Sequence, residues 1–432
     1  MTKKTFAEVF RMVTRKVKLA IIGFLIAVCT CTSIPKVSFA AKSAAKSSKK
    51  KSSAKKKAPA SKAKLMSNEN MMLCVAGTLE EVQAALKAGT LTLTEKDEDG
   101  NTALALASGF NPYPEVIRAL IQAGADVNLK GRNGATPLMI ASSYNSRPEV
   151  ISSLIKAGAK LDARDGMGRN ALMMAAYNNP KRDIISALLD AGMDVNDKLA
   201  DGSTVLMFAA AGNQNPAVIT MLAAAGANID DKTSDGRTAL MSAAMWNQKP
   251  DIAASLLKSG ADVNDKLKNG ATVLMLAAAQ NPNPEVIAAL IKAGAKVSEK
   301  DSNGYNALFT AVNNKNPDVI KALVKAGAEV NSKNKSGATV LMYAAAASKN
   351  PDVIKTLVQL GAKVDDKDAE EMTALMYAAQ ENENPDIVTA LLELKADAKA
   401  KNKAGLRAID IANKNKKLKG TDAYKALKGA SS

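Results

Sequence analysis

From residue 68 onward, apolar positions fall at helical spacing in short blocks, two blocks to each period of about 34 residues, with brief polar segments between them. Each period is anchored by a glycine followed four residues later by a leucine: Gly100/Leu104, Gly134/Leu138, Gly168/Leu172, Gly202/Leu206, Gly236/Leu240, Gly270/Leu274, Gly304/Leu308 and Gly337/Leu341. Glu371/Leu375 and Gly405/Ile409 are degraded copies. A fixed period of this size predicts a stacked solenoid, because each unit is too small to bury its own apolar face and must borrow its neighbours'. Such a stack exposes a long surface rather than enclosing a pocket.

Within one unit, Asp201-Gly202-Ser203-Thr204 opens with turn residues and passes into the apolar, small-residue run Val205 to Ala210. Asn213 closes this first helix, and the tolerance of Asn for the left-handed region predicts a left-handed ending there. The same Asn recurs at Asn111, Asn145, Asn179, Asn247, Asn281 and Asn382. Asn-Pro then starts a second helix, as at Asn215-Pro216 and Asn283-Pro284, with Asn as N-cap and Pro where no amide hydrogen is needed. An acid follows in nearly every unit, from Glu115 to Asp386. This row resembles a metal or acid/base array, but each carboxylate stands where the helix dipole favours negative charge, which accounts for it. Val286 to Ile291 illustrates the second helix, Gly294 its stop, and a polar hairpin leads to the next period.

Asp201-Gly202-Ser203-Thr204-Val205-Leu206 and Ala123-Gly124-Ala125-Asp126-Val127-Asn128 resemble the turns of the ankyrin repeat family, over about 360 residues. The resemblance implies an all-α repeat solenoid of stacked helix-turn-helix units with short β-hairpin fingers, about nine full repeats plus terminal caps. It also implies protein partners held in a concave groove between fingers and first helices. Two features depart from the family. The unit is one residue longer than usual, and Met replaces the family's His after the signature Leu at Met139, Met173, Met207, Met241, Met275, Met342 and Met376. Methionine is pliable core filler, so a structural row is expected. Glu371 and Lys395 stand where other units have glycine, and a Cβ in the left-handed region costs ~1 kcal/mol. The carboxyl end is therefore expected to fray first.

Ahead of the repeats, residues 1–40 read as a signal peptide: basic residues from Lys3 to Lys18, an apolar run from Leu19 to Val28, and Ser38-Phe39-Ala40 as a cleavage site. The expected location is periplasmic or secreted; the alternative is an uncleaved inner-membrane anchor with the repeats outside the cytoplasm. Residues 41–67 read as a disordered linker of Ala, Lys and Ser, with ten lysines and no acid between 41 and 64. The repeat domain occupies 68–430. The formal charge of +17 sits at the two ends: residues 1–64 hold 17 basic side chains and one acid, residues 399–432 hold ten and two, and the body from 65 to 398 is about −7.

These facts narrow the function. Histidine is absent, which removes the commonest general base and metal ligand. Cys74 has no His to activate it, and the Glu95/Asp97/Asp99 spacing imitates a calcium loop whose closing Glu is replaced by Leu106. No enzyme, no metal and no cofactor is expected. The two positions after the first helix's paired small residues belong to the groove surface in the resembled family; here they carry Phe110, Tyr144, Tyr177 and Trp246, with Gln280 continuing the row. Aromatics are rich in binding energy when buried at an interface, so this row is the candidate partner site of an expected monomer. The rival reading is electrostatic attachment to an anionic polymer or envelope surface through Lys49, Lys50, Lys51, Lys55, Lys56, Lys57 and the carboxyl-terminal lysines. Export argues against nucleic acid as that polymer.

Overall fold

The computed structural model describes residues 66–432. The expected signal peptide, the linker as far as residue 65 and the lysines at 49–57 lie outside these residues.

Among the described residues the chain forms 22 helices in antiparallel pairs. An amino-terminal pair, α1 (Asn68–Ala76) and α2 (Leu79–Ala88), is followed by repeat 1, α3 (Ala103–Phe110) and α4 (Pro114–Gln122), and repeat 2, α5 (Pro137–Tyr144) and α6 (Pro148–Lys156). Repeats 3 to 5 are α7 (Ala171–Asn178) with α8 (Arg182–Asp190), α9 (Val205–Gly212) with α10 (Pro216–Ala224), and α11 (Ala239–Trp246) with α12 (Pro250–Lys258). Repeats 6 to 9 are α13 (Val273–Gln280) with α14 (Pro284–Lys292), α15 (Ala307–Ala311) with α16 (Asp318–Lys325), α17 (Val340–Ala347) with α18 (Pro351–Gln359), and α19 (Ala374–Glu381) with α20 (Pro385–Glu393). The closing pair is α21 (Ala408–Ala412) and α22 (Asp422–Ala430). None is long and apolar enough to cross a membrane.

Local chemistry sets these boundaries. The Thr204 hydroxyl accepts from the Met207 amide at 3.2 Å, and the Asn283 side chain caps α14 by accepting from the Glu285 amide at 3.0 Å. At the end of α10, Gly226 takes φ 92° and the Ala227 amide donates back to the Leu222 carbonyl, the glycine ending expected for second helices. Glu371 and Lys395 adopt the same region at φ 57° and 65° despite their Cβ atoms.

First helices pack on first helices and second on second, and the substantial contacts all fall within a repeat or between adjacent repeats. The first helix is buried almost all round, as with Val205, Leu206, Met207, Ala209 and Ala210, whereas α10 buries one stripe, Val218, Ile219 and Leu222. The seven methionines are 0 to 4% exposed, as a structural row requires, and each contributes about 2 kcal/mol of apolar burial. The fingers are shorter than the expected hairpins. Among the described residues they are turns, four of them closed by isolated bridges such as Lys198 with Thr204, and several neighbouring turns are joined by single backbone bonds, as from the Ser234 amide to the Asp201 carbonyl at 2.8 Å.

The Asn that closes each first helix behaves differently from the expectation. Asn213 has φ −65° and ψ 143°, extended rather than left-handed. This geometry lets its buried side chain reach the preceding repeat, where Nδ2 donates to the Ala176 and Asn179 carbonyls at 2.7 and 2.9 Å while Oδ1 accepts from the Asn215 amide at 2.9 Å. Three hydrogen bonds at a buried site outweigh the local preference for a left-handed cap. The same pair of donations recurs at Asn111, Asn145, Asn179, Asn247, Asn281 and Asn314, and again at Asn382 and Asn415. Each amide bolts one repeat to the last.

The series skips one junction. Gly304 and Gly337 are 33 residues apart, so repeat 7 lacks a residue, and α15 stops after five residues. The Asn314 amide then turns back onto the Ala311 carbonyl at 2.9 Å. In repeat 8 the bolt position holds Ser348, whose hydroxyl bonds only within its own loop, to the amide and carbonyl of Asn350.

Candidate functional site

The aromatic row predicted from the sequence lies at the carboxyl ends of α3, α5, α7 and α11, all four rings half-buried. Its members are held by neighbours rather than standing alone. Phe110 stacks on Tyr144 with ring centres 5.4 Å apart and planes 22° from parallel. Tyr177 meets Phe208 of the next repeat edge-on at 6.5 Å, and its ring lies so close over Gly212 that a Cβ there would fall 2.6 Å from it. Trp246 carries the Arg237 guanidinium 5.0 Å from its ring centre, and Arg237 is itself paired with Asp235 at 2.8 Å. Gln280 is exposed at the end of α13 and extends the row into repeat 6. One face of each ring is thereby fixed, and the half-exposed remainder presents rigid apolar area whose ordering entropy is already spent.

A second aromatic group was not foreseen. Tyr305, Phe309 and Tyr343 meet at 5.1 to 5.8 Å across the junction between repeats 7 and 8, with Phe309 fully buried in the place of the usual Met. Tyr377 stands one repeat further on and donates its hydroxyl to Asp368 at 2.7 Å. Burial, together with that carboxylate, raises the Tyr377 phenol above its ordinary range. Tyr343 and Tyr377 occupy the fourth position of their first helices, earlier than the two positions singled out from the sequence. Their signal was the same substitution, an aromatic for an aliphatic at a fixed point of the period, as at Phe208.

The fingers add a row of cations that sequence reasoning also missed, Lys or Arg at one position per unit from Lys96 to Lys401. In the middle of the stack these pair with carboxylates of the next unit: Arg164 with Asp197, Lys198 with Asp231, Lys232 with Asp265 and Lys266 with Glu299, at 2.5 to 2.9 Å. Hydrogen bonding by Lys266 lowers the Glu299 carboxyl below its usual value. Towards the ends the same side chains reach backbone carbonyls instead, as Lys130 does with Arg164 at 2.8 Å. The row is an inter-repeat clasp.

Nothing reactive accompanies these surfaces among the described residues. No group of His, Cys, Asp or Glu is arranged to hold a metal. Asp97, in the imitation calcium loop, spends both oxygens on the Asp99 and Asn101 amides and the Asn101 side chain. Cys74 is fully buried, and burial pushes its thiol up to about 12. A shallow depression of about 460 Å³ opens between α14 and α16, lined by Pro284, Ala288, Ile291 and Ala322 with Glu285 and Lys292, on the opposite helix layer from the aromatic row.

The family model for ankyrin repeats (3 copies) matches residues 62–165, 110–198, 172–267, 249–334 and 326–402. Among solved structures, the crystal structure of the human ASB11 ankyrin repeat domain is similar at 24% identity and a TM-score of 0.45, over 52% of this chain and 97% of that one. No curated protein matches. Overlapping matches that span residues 62–402 cover most of the chain, which belongs to the ankyrin repeat family.

Proposed function

We propose that the protein is a non-catalytic scaffold acting outside the cytoplasm, which holds a protein partner against its first helices and fingers. Ankyrin repeats generally mediate protein–protein interaction, and the finer reading is carried by one observation: the half-buried aromatics Phe110, Tyr144, Tyr177 and Trp246, each braced on one side and spaced one per repeat in four of the first five. Braced aromatic rings are the kind of group that dominates interface energetics. Replacing Tyr144, Tyr177 and Trp246 together by Ala removes that surface while leaving the buried methionine and leucine rows intact. The triple variant should lose capture of the partner by at least about a hundredfold while still unfolding cooperatively at a somewhat lower temperature, since hot-spot residues each contribute about 2 kcal/mol or more and the rings are partly packed on neighbours. Undiminished capture would place the partner elsewhere.

The export part of the reading rests on the basic, apolar and small-residue order of residues 2–40. Amino-terminal sequencing of the protein from its host tests it: a mature chain starting at Ala41 is expected, and an intact Met1 in a soluble cytoplasmic fraction would contradict it.

A further inference from the structure

The two ends of the solenoid do the same structural job and carry opposite charge. Terminal units must present a polar outer face, but that requirement is blind to sign. The amino-terminal pair, residues 68–88, has Glu69, Glu80 and Glu81 against Lys87. Residues 399–432 have ten basic side chains and two acids, and both acids are already occupied, Asp410 by Arg407 at 3.1 Å and Asp422 by Lys425 at 2.8 Å.

Half of the remaining cations sit on one short loop. Between α21 and α22, Lys414, Lys416, Lys417 and Lys419 are all exposed, and none forms an ion pair. The loop is rigidly presented. Asn415 bolts it to repeat 9 through the Ala379 and Asn382 carbonyls at 3.2 and 3.0 Å, and accepts from the Lys417 and Leu418 amides at 3.0 and 3.3 Å. Leu418, its one apolar side chain, turns inward and is 1% exposed. Holding four like charges together on an ordered loop costs self-repulsion that a flexible tail would avoid, and only an anionic partner returns it.

We propose that this loop is a docking surface for an anionic phospholipid membrane. The chemistry separates this occupant from two others. An acidic protein partner needs an apolar anchor at the centre of its footprint, and Leu418 is turned away. Single-stranded nucleic acid needs aromatic or Arg planes on which bases stack, whereas the loop has only lysines, and the hydroxyl of nearby Tyr424 is tied to Asn413 at 2.7 Å. A headgroup surface needs only several compact positive charges close together, with each lysine strengthening attachment several-fold.

The test is co-sedimentation with phosphatidylglycerol/phosphatidylcholine vesicles of the full chain with the ten lysines of residues 41–64 replaced by Gln, so that the linker cannot mask the loop, and both variants below are made in this background. Binding is expected at low salt, absent on pure phosphatidylcholine, and reduced at least about tenfold by the joint variant Lys414→Gln, Lys416→Gln, Lys417→Gln, Lys419→Gln. A control that removes the same charge elsewhere, Lys258→Gln, Lys292→Gln, Lys325→Gln, Lys363→Gln, should bind as the parent does. Equal binding by the loop variant, or equal loss in the control, would overturn the assignment. So would retention by polyglutamate or single-stranded DNA of a protein that ignores the vesicles. The Tyr144, Tyr177, Trp246 variant should keep vesicle binding, so failure of the groove reading and failure of this one are distinguishable.

Discussion

The junction between repeats 4 and 5 and the junction between repeats 7 and 8 are built from the same parts but held differently. At the first, Asn247 donates to the Ala210 and Asn213 carbonyls at 3.1 and 2.8 Å, and the eight-residue helices α9 and α11 are in extensive contact. At the second, one residue is missing from repeat 7, α15 is short, its contact with α17 is thin, and Ser348 makes no bond across the gap. The fingers remain joined there, through the Lys335 amide to the Asn303 carbonyl at 3.3 Å and Lys300 to the Lys333 carbonyl at 2.9 Å. Tyr305, Phe309 and Tyr343 fill the space the shorter helix leaves. Apolar stacking is non-directional, whereas the amide bolt fixes the distance between two backbones. A solenoid is therefore only as continuous as its poorest junction, because each repeat leans on its neighbours alone.

The largest effect should come from removing a bolt. Asn213→Ala deletes three hydrogen bonds, two of them buried, and leaves two carbonyls unpaired, and should cost about 3 kcal/mol, read from urea unfolding. Ser348→Ala should cost under about 1 kcal/mol, because only bonds inside its own loop are lost. Equal losses would remove the distinction between the junctions.

A middle-sized effect is expected at the amino-terminal end, where Ser108 and Ser142 bury hydroxyls without a partner at the position that repeats 3 to 6 fill with Ala. Ser108→Ala and Ser142→Ala should each stabilise by about 1 kcal/mol, and destabilisation would mean the hydroxyls are satisfied. The smallest change is Lys395→Gly, which relieves a left-handed Cβ at φ 65° and should add about 0.5 kcal/mol, seen as slower exchange in α20.

Much of this was legible in the residues. The period, both helices of each unit, the Asn-Pro starts of the second helices and their glycine stops follow from local chemistry and are in place. Asn213 was misread because its partners, Ala176 and Asn179, are over thirty residues away, and a local argument offers only the left-handed cap. A polar residue repeated at a fixed point of an apolar period, as Asn is here, is itself the signal of a cross-repeat bond. The aromatic row is legible because it replaces small residues at a surface position; Tyr343 and Tyr377 are not, because they stand in mid-helix among aliphatics such as Ile140 and Leu276, where an aromatic reads as core. The cations from Lys96 to Lys401 leave little trace in the segment charge, because one per repeat is outweighed by the carboxylates around it.

Native-state hydrogen exchange tests the central claim, that junction chemistry sets stability along the stack, most directly. The account predicts that amides of α17 to α20, beyond the junction between repeats 7 and 8, exchange together and faster than those of α9 to α12. Uniform protection from repeat 4 to repeat 9, or slower exchange beyond Ser348, would contradict it.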